Sequence, residues 1–165
     1  NTGLLVSLSS CEDRNHHHYT REMAAPNFTG NWILFKQDDN LETYLREMGL
    51  SEVKIKAFVH AQIKIQIQQD GDDFHVTGSV NGEEHDPLKF TVGQEFEFVQ
   101  ASAHSDNVMK ITPTWDGEKL VMKYVPKVAG QGRENTIIRY IDQDGHMQIH
   151  HQCGGVTAVR CFKKQ

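Results

Sequence analysis

Cysteine is scarce in this chain. Three residues, at 11, 153 and 161, are too few for the disulfide framework that a small secreted domain relies on. Long apolar runs are missing too: stretches such as Trp32-Ile33-Leu34-Phe35 fall far short of the about 20 residues of a membrane-spanning helix. Gly3-Leu4-Leu5-Val6 is broken by Ser7 and runs into Cys11-Glu12-Asp13-Arg14, which does not make a secretory signal. A cytoplasmic location is the expectation. Positive charge is not in excess either. With 17 Lys and Arg against 22 Asp and Glu, the formal net charge is −5, and the scattered lysines give no basic face for a nucleic acid. Catalytic signatures are absent: there is no Gly-x-Ser-x-Gly, no histidine pair at metal-ligand spacing with a carboxylate, and no phosphate-cradling glycine loop. No enzyme, cofactor or metal centre is expected.

What is present has two parts. Residues 1–22 lack periodicity and carry His16-His17-His18; they read as a leader outside the fold, disordered or non-native, and the histidines as a solvated tail without partner ligands. Residues 24–165 read as one domain, since 165 residues suit a single core.

Within that domain, strict alternation is the dominant signal. In Gln62-Ile63-Lys64-Ile65-Gln66-Ile67-Gln68 three isoleucines share one face and polar residues the other. The pattern recurs around Phe74, Val76 and Val80, and again at Leu88, Phe90 and Val92. Asp70-Gly71, Asn81-Gly82, Asp116-Gly117, Asp144-Gly145 and Gly154-Gly155 punctuate it as hairpin turns. Ten strands follow, at roughly 27–36, 60–69, 73–80, 86–92, 94–102, 107–114, 118–125, 134–142, 146–153 and 156–163, antiparallel because their loops are short. Between the first two, Leu41, Tyr44, Leu45 and Met48 recur at helical spacing up to Gly49, and Ser51 can cap a second helix carrying Val53, Ile55, Ala57 and Phe58. The expected fold is all-β: a ten-stranded antiparallel up-and-down β-barrel with a helix-turn-helix lid between the first and second strands.

Phe28-Thr29-Gly30-Asn31-Trp32, Leu41-Glu42-Thr43-Tyr44-Leu45 and Gly155-Val156-Thr157-Ala158-Val159-Arg160-Cys161-Phe162 resemble the opening and closing signatures of the intracellular lipid-binding proteins, the family of fatty-acid-binding, cellular retinoid-binding and ileal bile-acid-binding proteins. The resemblance spans residues 27–165. It implies intracellular binding and transport of a hydrophobic carboxylate in the barrel cavity, a long-chain fatty acid foremost, with bile acids and retinoids as alternatives and a monomer as the form. It also implies an anchor of two arginines and a tyrosine, at the positions of Arg139, Arg160 and Phe162, so the tyrosine hydroxyl is missing here. Gln68-Gln69-Asp70-Gly71 and Lys89-Phe90-Thr91-Val92-Gly93 look closest to the bile-acid branch, whereas Lys163-Lys164 looks more like the retinol branch.

Register tests independently whether the arginines can meet. With a two-residue Gly154-Gly155 loop, Cys153 pairs with Val156 and Arg160 falls opposite Ile149. A three-residue Gln143-Asp144-Gly145 loop pairs Asp142 with His146 and puts Arg139 opposite Ile149 as well. The two backbones are then roughly 10 Å apart, a gap that two guanidinium groups can close over one anion. Their face also carries Ile137, Ile141, Met147, Ile149, Val156, Ala158 and Phe162, apolar enough to be the interior. Unpaired buried cations are costly, so they call for counter-charge. His151, on the same face opposite Ala158, reads either as a ligand contact or as a satisfied interior group. Trp32 reads as core at the closed end. Cys161 falls opposite Gln148, too far from Cys153 for a disulfide.

The helical pair is the natural gate, with Leu45 and Phe58 among its apolar contacts to the ligand. Arg46, Lys54 and Lys56 have two readings, a solvated face or transient contact with an anionic membrane. A secreted lipocalin is the rival: Gly30-Asn31-Trp32 matches its Gly-x-Trp start and Asn27-Phe28-Thr29 is a glycosylation sequon. Lipocalins, however, lack a helical pair after the first strand.

Overall fold

The computed structural model describes residues 25–101 and 106–165; the leader expected at residues 1–22, with His16-His17-His18, lies outside them. Alternating stretches become strands and the interruption becomes two helices: β1 (Gly30–Gln37), α1 (Leu41–Glu47), α2 (Glu52–Val59), β2 (Ile63–Asp70), β3 (Asp73–Val80), β4 (Glu83–Glu84), β5 (Leu88–Thr91), β6 (Phe96–Ala101), β7 (Asp106–Asp116), β8 (Lys119–Pro126), β9 (Asn135–Ile141), β10 (Met147–Cys153) and β11 (Val156–Lys164). Among the described residues no helix is long and apolar enough to cross a membrane.

Among the described residues the strands number eleven rather than the ten expected, because the turn region ahead of the strand read as 86–92 contributes a two-residue strand of its own, and that strand is confined to Leu88–Thr91. Glu83 and Glu84 pair with Val80 and Ser79, and pairing to β3 resumes only at Leu88. Pro87 lies between the two pieces, where it has no amide hydrogen to donate to a ladder. Asn81 and Gly82 both take positive φ, 51° and 85°, which gives the β3–β4 hairpin the two left-handed residues that a type I′ turn requires.

All strands belong to one sheet, in the order β4-β3-β2-β1-β11-β10-β9-β8-β7-β6, with β5 on β3. Every recorded pairing is antiparallel. The sheet curls until its ends touch. The indole of Trp115 on β7 lies 6.1 Å from the Phe74 ring on β3 and donates to the Asp72 carboxylate at 2.8 Å. The Gly93 amide donates to the Pro113 carbonyl at 2.8 Å. No ladder joins β5 to β6. There Phe74, Phe90 and Phe96 stack face to face, with centroids 4.9 and 5.5 Å apart, so rings bridge where hydrogen bonds do not. The barrel architecture expected from alternation is thus present.

Inward residues from almost every strand form the main core, including Trp32, Ile67, Phe74, Met109, Ile111, Leu120, Met147 and Phe162, while Phe28, just before β1, closes one end. A second cluster seats the lid: Leu41, Tyr44 and Leu45 of α1 and Ile55 of α2 pack on Cys153 and Ala158. The Ser51 hydroxyl accepts from the Lys54 amide and caps α2. Val53, by contrast, is 80% exposed, and Ala57 is exposed too, so these two apolar lid residues turn outward. Arg46 is held by Glu52 at 2.7 Å and Glu42 at 3.2 Å, exposed pairs that contribute little but engage part of the charge considered for membrane contact.

At the β10–β11 turn Gly154 and Gly155 have φ of 57° and 80°. A Cβ on Gly154 would fall 2.5 Å from Glu47 Oε1 and 2.9 Å from Arg133 Nη2, two side chains that are themselves paired at 3.4 Å. Gly154→Ala is therefore expected to lower stability by about 1–2 kcal/mol, the sum of a left-handed alanine and a displaced, half-exposed ion pair, as read from a urea titration.

Candidate binding site

Three neighbouring strands set the polar centre of the interior. Ile149 on β10 pairs with Arg160 on β11 and with Arg139 on β9, the register that the two glycine turns imply. Arg139 in turn pairs with Leu120 on β8, which is fully buried, while Ile149 is 3% and Arg160 5% exposed. Both arginines therefore project inward from the same level of the barrel.

Met147 pairs with Phe162 one level toward the closed end, and both are buried. His151 pairs with Ala158 one level toward the lid. Leu45 and Phe58 come down from the helices. A cavity of about 240 Å³ under the lid brings together Tyr44, Leu45, Phe58, Ile137, His151 and Arg160. Arg139, Ile149, Met147 and Phe162 do not line it; they lie deeper on the same face. Its volume is below the roughly 300–1,000 Å³ of a typical small-molecule site, so a long guest has to move side chains. A larger groove of about 640 Å³ lies over the ring stack, near Phe90 and Phe96, away from both arginines.

The electrostatics of this centre follow from burial. Arg160 is lowered to about 10 by desolvation, with Tyr44 acting in the opposite sense. Its guanidinium carbon sits 4.8 Å from the Phe58 ring centroid, a cation–π contact, yet its Nε and Nη2 are buried and form no hydrogen bond. Arg139 is also lowered by desolvation, with Tyr124 opposing, and its buried Nε has no partner. A guanidinium keeps its proton in folded proteins, so both are cationic. His151 is pushed down to about 3 by burial and then by Arg160, Arg139 and His150, so it is neutral. Burial raises Tyr124 to about 12, against the pull of Arg139. Burial also raises Tyr44, helped by Cys153 and Tyr124 and opposed by Arg160. The result is a pair of desolvated cations with neutral polar neighbours, an arrangement that can hold an anion with an apolar tail.

Alternation singled out both arginines and His151, but it missed the two tyrosines. Tyr124 could have been read from the inward parity of Leu120, Met122 and Tyr124 on β8. Tyr44 could not, since its place depends on how α1 docks against β10, where its ring lies 5.2 Å from His151. Trp32 is core, as expected: it is 1% exposed, and its indole donates to the Phe28 carbonyl at 2.9 Å. Cys153 and Cys161 are free thiols, and burial raises Cys153, which disfavours a reactive thiolate.

Asp142, Asp144 and His146 gather at the β9–β10 turn, their ligand atoms within 4.8 Å of one another. The turn itself employs the Asp142 carboxylate. Asp142 accepts from the amides of Asp144 and His146, both at 2.9 Å, and from Gln148 Nε2 at 2.7 Å.

The sequence pattern of the lipocalin / cytosolic fatty-acid binding protein family matches residues 26–163. The intestinal fatty acid-binding protein of Rattus norvegicus is 32% identical over 140 residues, covering 84% of this chain and 98% of that protein. The cellular retinoic acid-binding protein 2 of the same organism is 24% identical over 143 residues, covering 85% and 99%. Among solved structures, apo lipid binding protein 8 of Caenorhabditis elegans superposes with a TM-score of 0.72 at 22% identity, over 84% of this chain and 95% of that one.

Proposed function

Since this chain belongs to the lipocalin / cytosolic fatty-acid binding protein family, we propose that it binds and carries a hydrophobic carboxylate, a long-chain fatty acid foremost, with the head group at Arg139 and Arg160 and the tail among the apolar inward residues. The observation that carries this reading is the pair of inward guanidinium groups flanking Ile149, neither of which forms an ion pair with a carboxylate among the described residues. A ligand carboxylate supplies that charge, and each methylene withdrawn from water contributes about 0.8 kcal/mol. Met147, Ile149 and Phe162 would line the path of the tail, and His151, Leu45 and Phe58 its lid end. The helical pair following β1, which lipocalins lack, favours the intracellular branch over a secreted carrier. The relatives named for fatty acids and for retinoic acid fit the same head group. Function as a monomer inside the cell, with the lid as the face presented to membranes, completes the proposal.

Competition titration tests it. Arg160→Gln is expected to weaken a long-chain fatty acid by more than about 1.5 kcal/mol, the scale of a charge-assisted hydrogen bond, while leaving the matching alcohol nearly unchanged. Equal losses for acid and alcohol would remove Arg160 from the head-group site. Native mass spectrometry of the protein from its own tissue would then give the mass and copy number of the guest.

A further inference from the structure

The cavity under the lid holds polar groups that a carboxylate between the arginines does not use. Tyr44 and His151 lie side by side on its wall, ring centroids 5.2 Å apart. His151 Nε2 is buried without a hydrogen-bond partner, as are Nε and Nη2 of Arg160 on the same wall, and Tyr44 brings its hydroxyl to that wall. Buried polar atoms in folded proteins are nearly always satisfied, so unsatisfied ones facing a cavity point to an occupant.

The chemistry of that occupant differs from that of the anion. A neutral imidazole offers one donor and one acceptor, and a phenol offers a donor and an acceptor. A carboxylate only accepts, whereas a hydroxyl both donates and accepts, and so can complete either tautomer of His151 together with Tyr44. His151 stands two residues along β10 from Ile149, the level of both arginines, which is about 7 Å. From these placements we infer that the cavity under the lid is a subsite for a hydroxyl group, and that the preferred guest is a long-chain acid hydroxylated a few carbons from its carboxylate. The inference rests on the proposed carboxylate site and extends it by naming the ligand class. It also gives the missing hydroxyl at Phe162 a counterpart, since Tyr44 and His151 bring hydrogen-bonding capacity to the lid side of Arg160.

The test is a competition series with octadecanoic acid and its monohydroxy isomers, the hydroxyl moved stepwise from the carboxyl end to the methyl end. An isomer hydroxylated in the carboxyl-proximal part of the chain should bind about five- to tenfold more tightly than octadecanoic acid, and isomers hydroxylated near the methyl end should bind more weakly. Tyr44→Phe should erase most of the gain while leaving octadecanoic acid within about twofold; His151→Phe, whose residue also meets the tail, should bring the ratio of isomer to octadecanoic acid down toward one whatever it does to the parent acid, so that a folding defect in one variant, visible by circular dichroism, leaves the other to decide. If octadecanoic acid binds and no isomer exceeds it, or if the gain survives in a folded variant, the hydroxyl subsite is wrong. If octadecanoic acid itself fails to bind, the carboxylate site is wrong and the inference falls with it.

Discussion

Arg139→Met is expected to make the empty protein more stable by about 1–3 kcal/mol and to weaken a fatty acid by about 2–4 kcal/mol. Both halves have one cause. Arg139 carries its charge among Leu120, Ile149 and Tyr124, with a buried Nε that bonds to nothing. Methionine fills a comparable volume without the desolvation cost of a cation, and such replacements commonly stabilise. The guest, however, loses its deeper anchor, and removing one partner of a desolvated charge pair costs several kcal/mol. A urea titration with unchanged slope reads the first effect, and calorimetric titration with a long-chain acid reads the second. A variant less stable than the parent when empty would mean that Arg139 has a compensating partner and is not held in reserve for a ligand.

Trp32→Ala should be the most destabilising single change of this set, at about 3–5 kcal/mol. The indole is 1% exposed within the main core, its strand pairs with β2 through Ile65 and with β11 through Lys164, and its nitrogen holds the Phe28 carbonyl. Alanine removes a large buried surface at the closed end and leaves that carbonyl without its partner. Trp32→Phe separates the two contributions: it keeps most of the packing, and should cost only about 1–2 kcal/mol for the lost hydrogen bond and smaller ring. Thermal unfolding followed by circular dichroism ranks the variants. A small loss in Trp32→Ala would show that the closed end collapses around the gap, and that the strand ladders alone hold it.

Much of this molecule could be read along the chain because its decisive contacts are local. The Gly154-Gly155 turn and the Gln143-Asp144-Gly145 loop fix which residues face each other, so the row Arg139, Ile149, Arg160 follows from counting, and so does the separation of Cys153 from Cys161, which pairs with Gln148. Ser51 at the start of α2 was legible for the same reason, since a cap acts over three residues. The short β4 was harder. Glu83 and Glu84 are too few to show an alternation, and their pairing with Val80 and Ser79 appears only once the Asn81-Gly82 hairpin has closed. Least legible were the contacts that depend on docking: Phe58 over Arg160, Tyr44 against His151, and the exclusion of Arg139 from the cavity under the lid. Each joins residues that are remote along the chain and are brought together by how a lid or a neighbouring strand settles on the sheet.

The stack of Phe74, Phe90 and Phe96 has a consequence for capacity. Amide ladders tolerate only discrete slips, but aromatic faces can slide past one another with little change in energy. The girth of the barrel is therefore adjustable along one line, between β5 and β6, while the row on β9, β10 and β11 proposed to hold a head group is fixed by continuous ladders. On the proposed reading anchoring and bulk fall on different walls, so guests of unequal width would share a single grip.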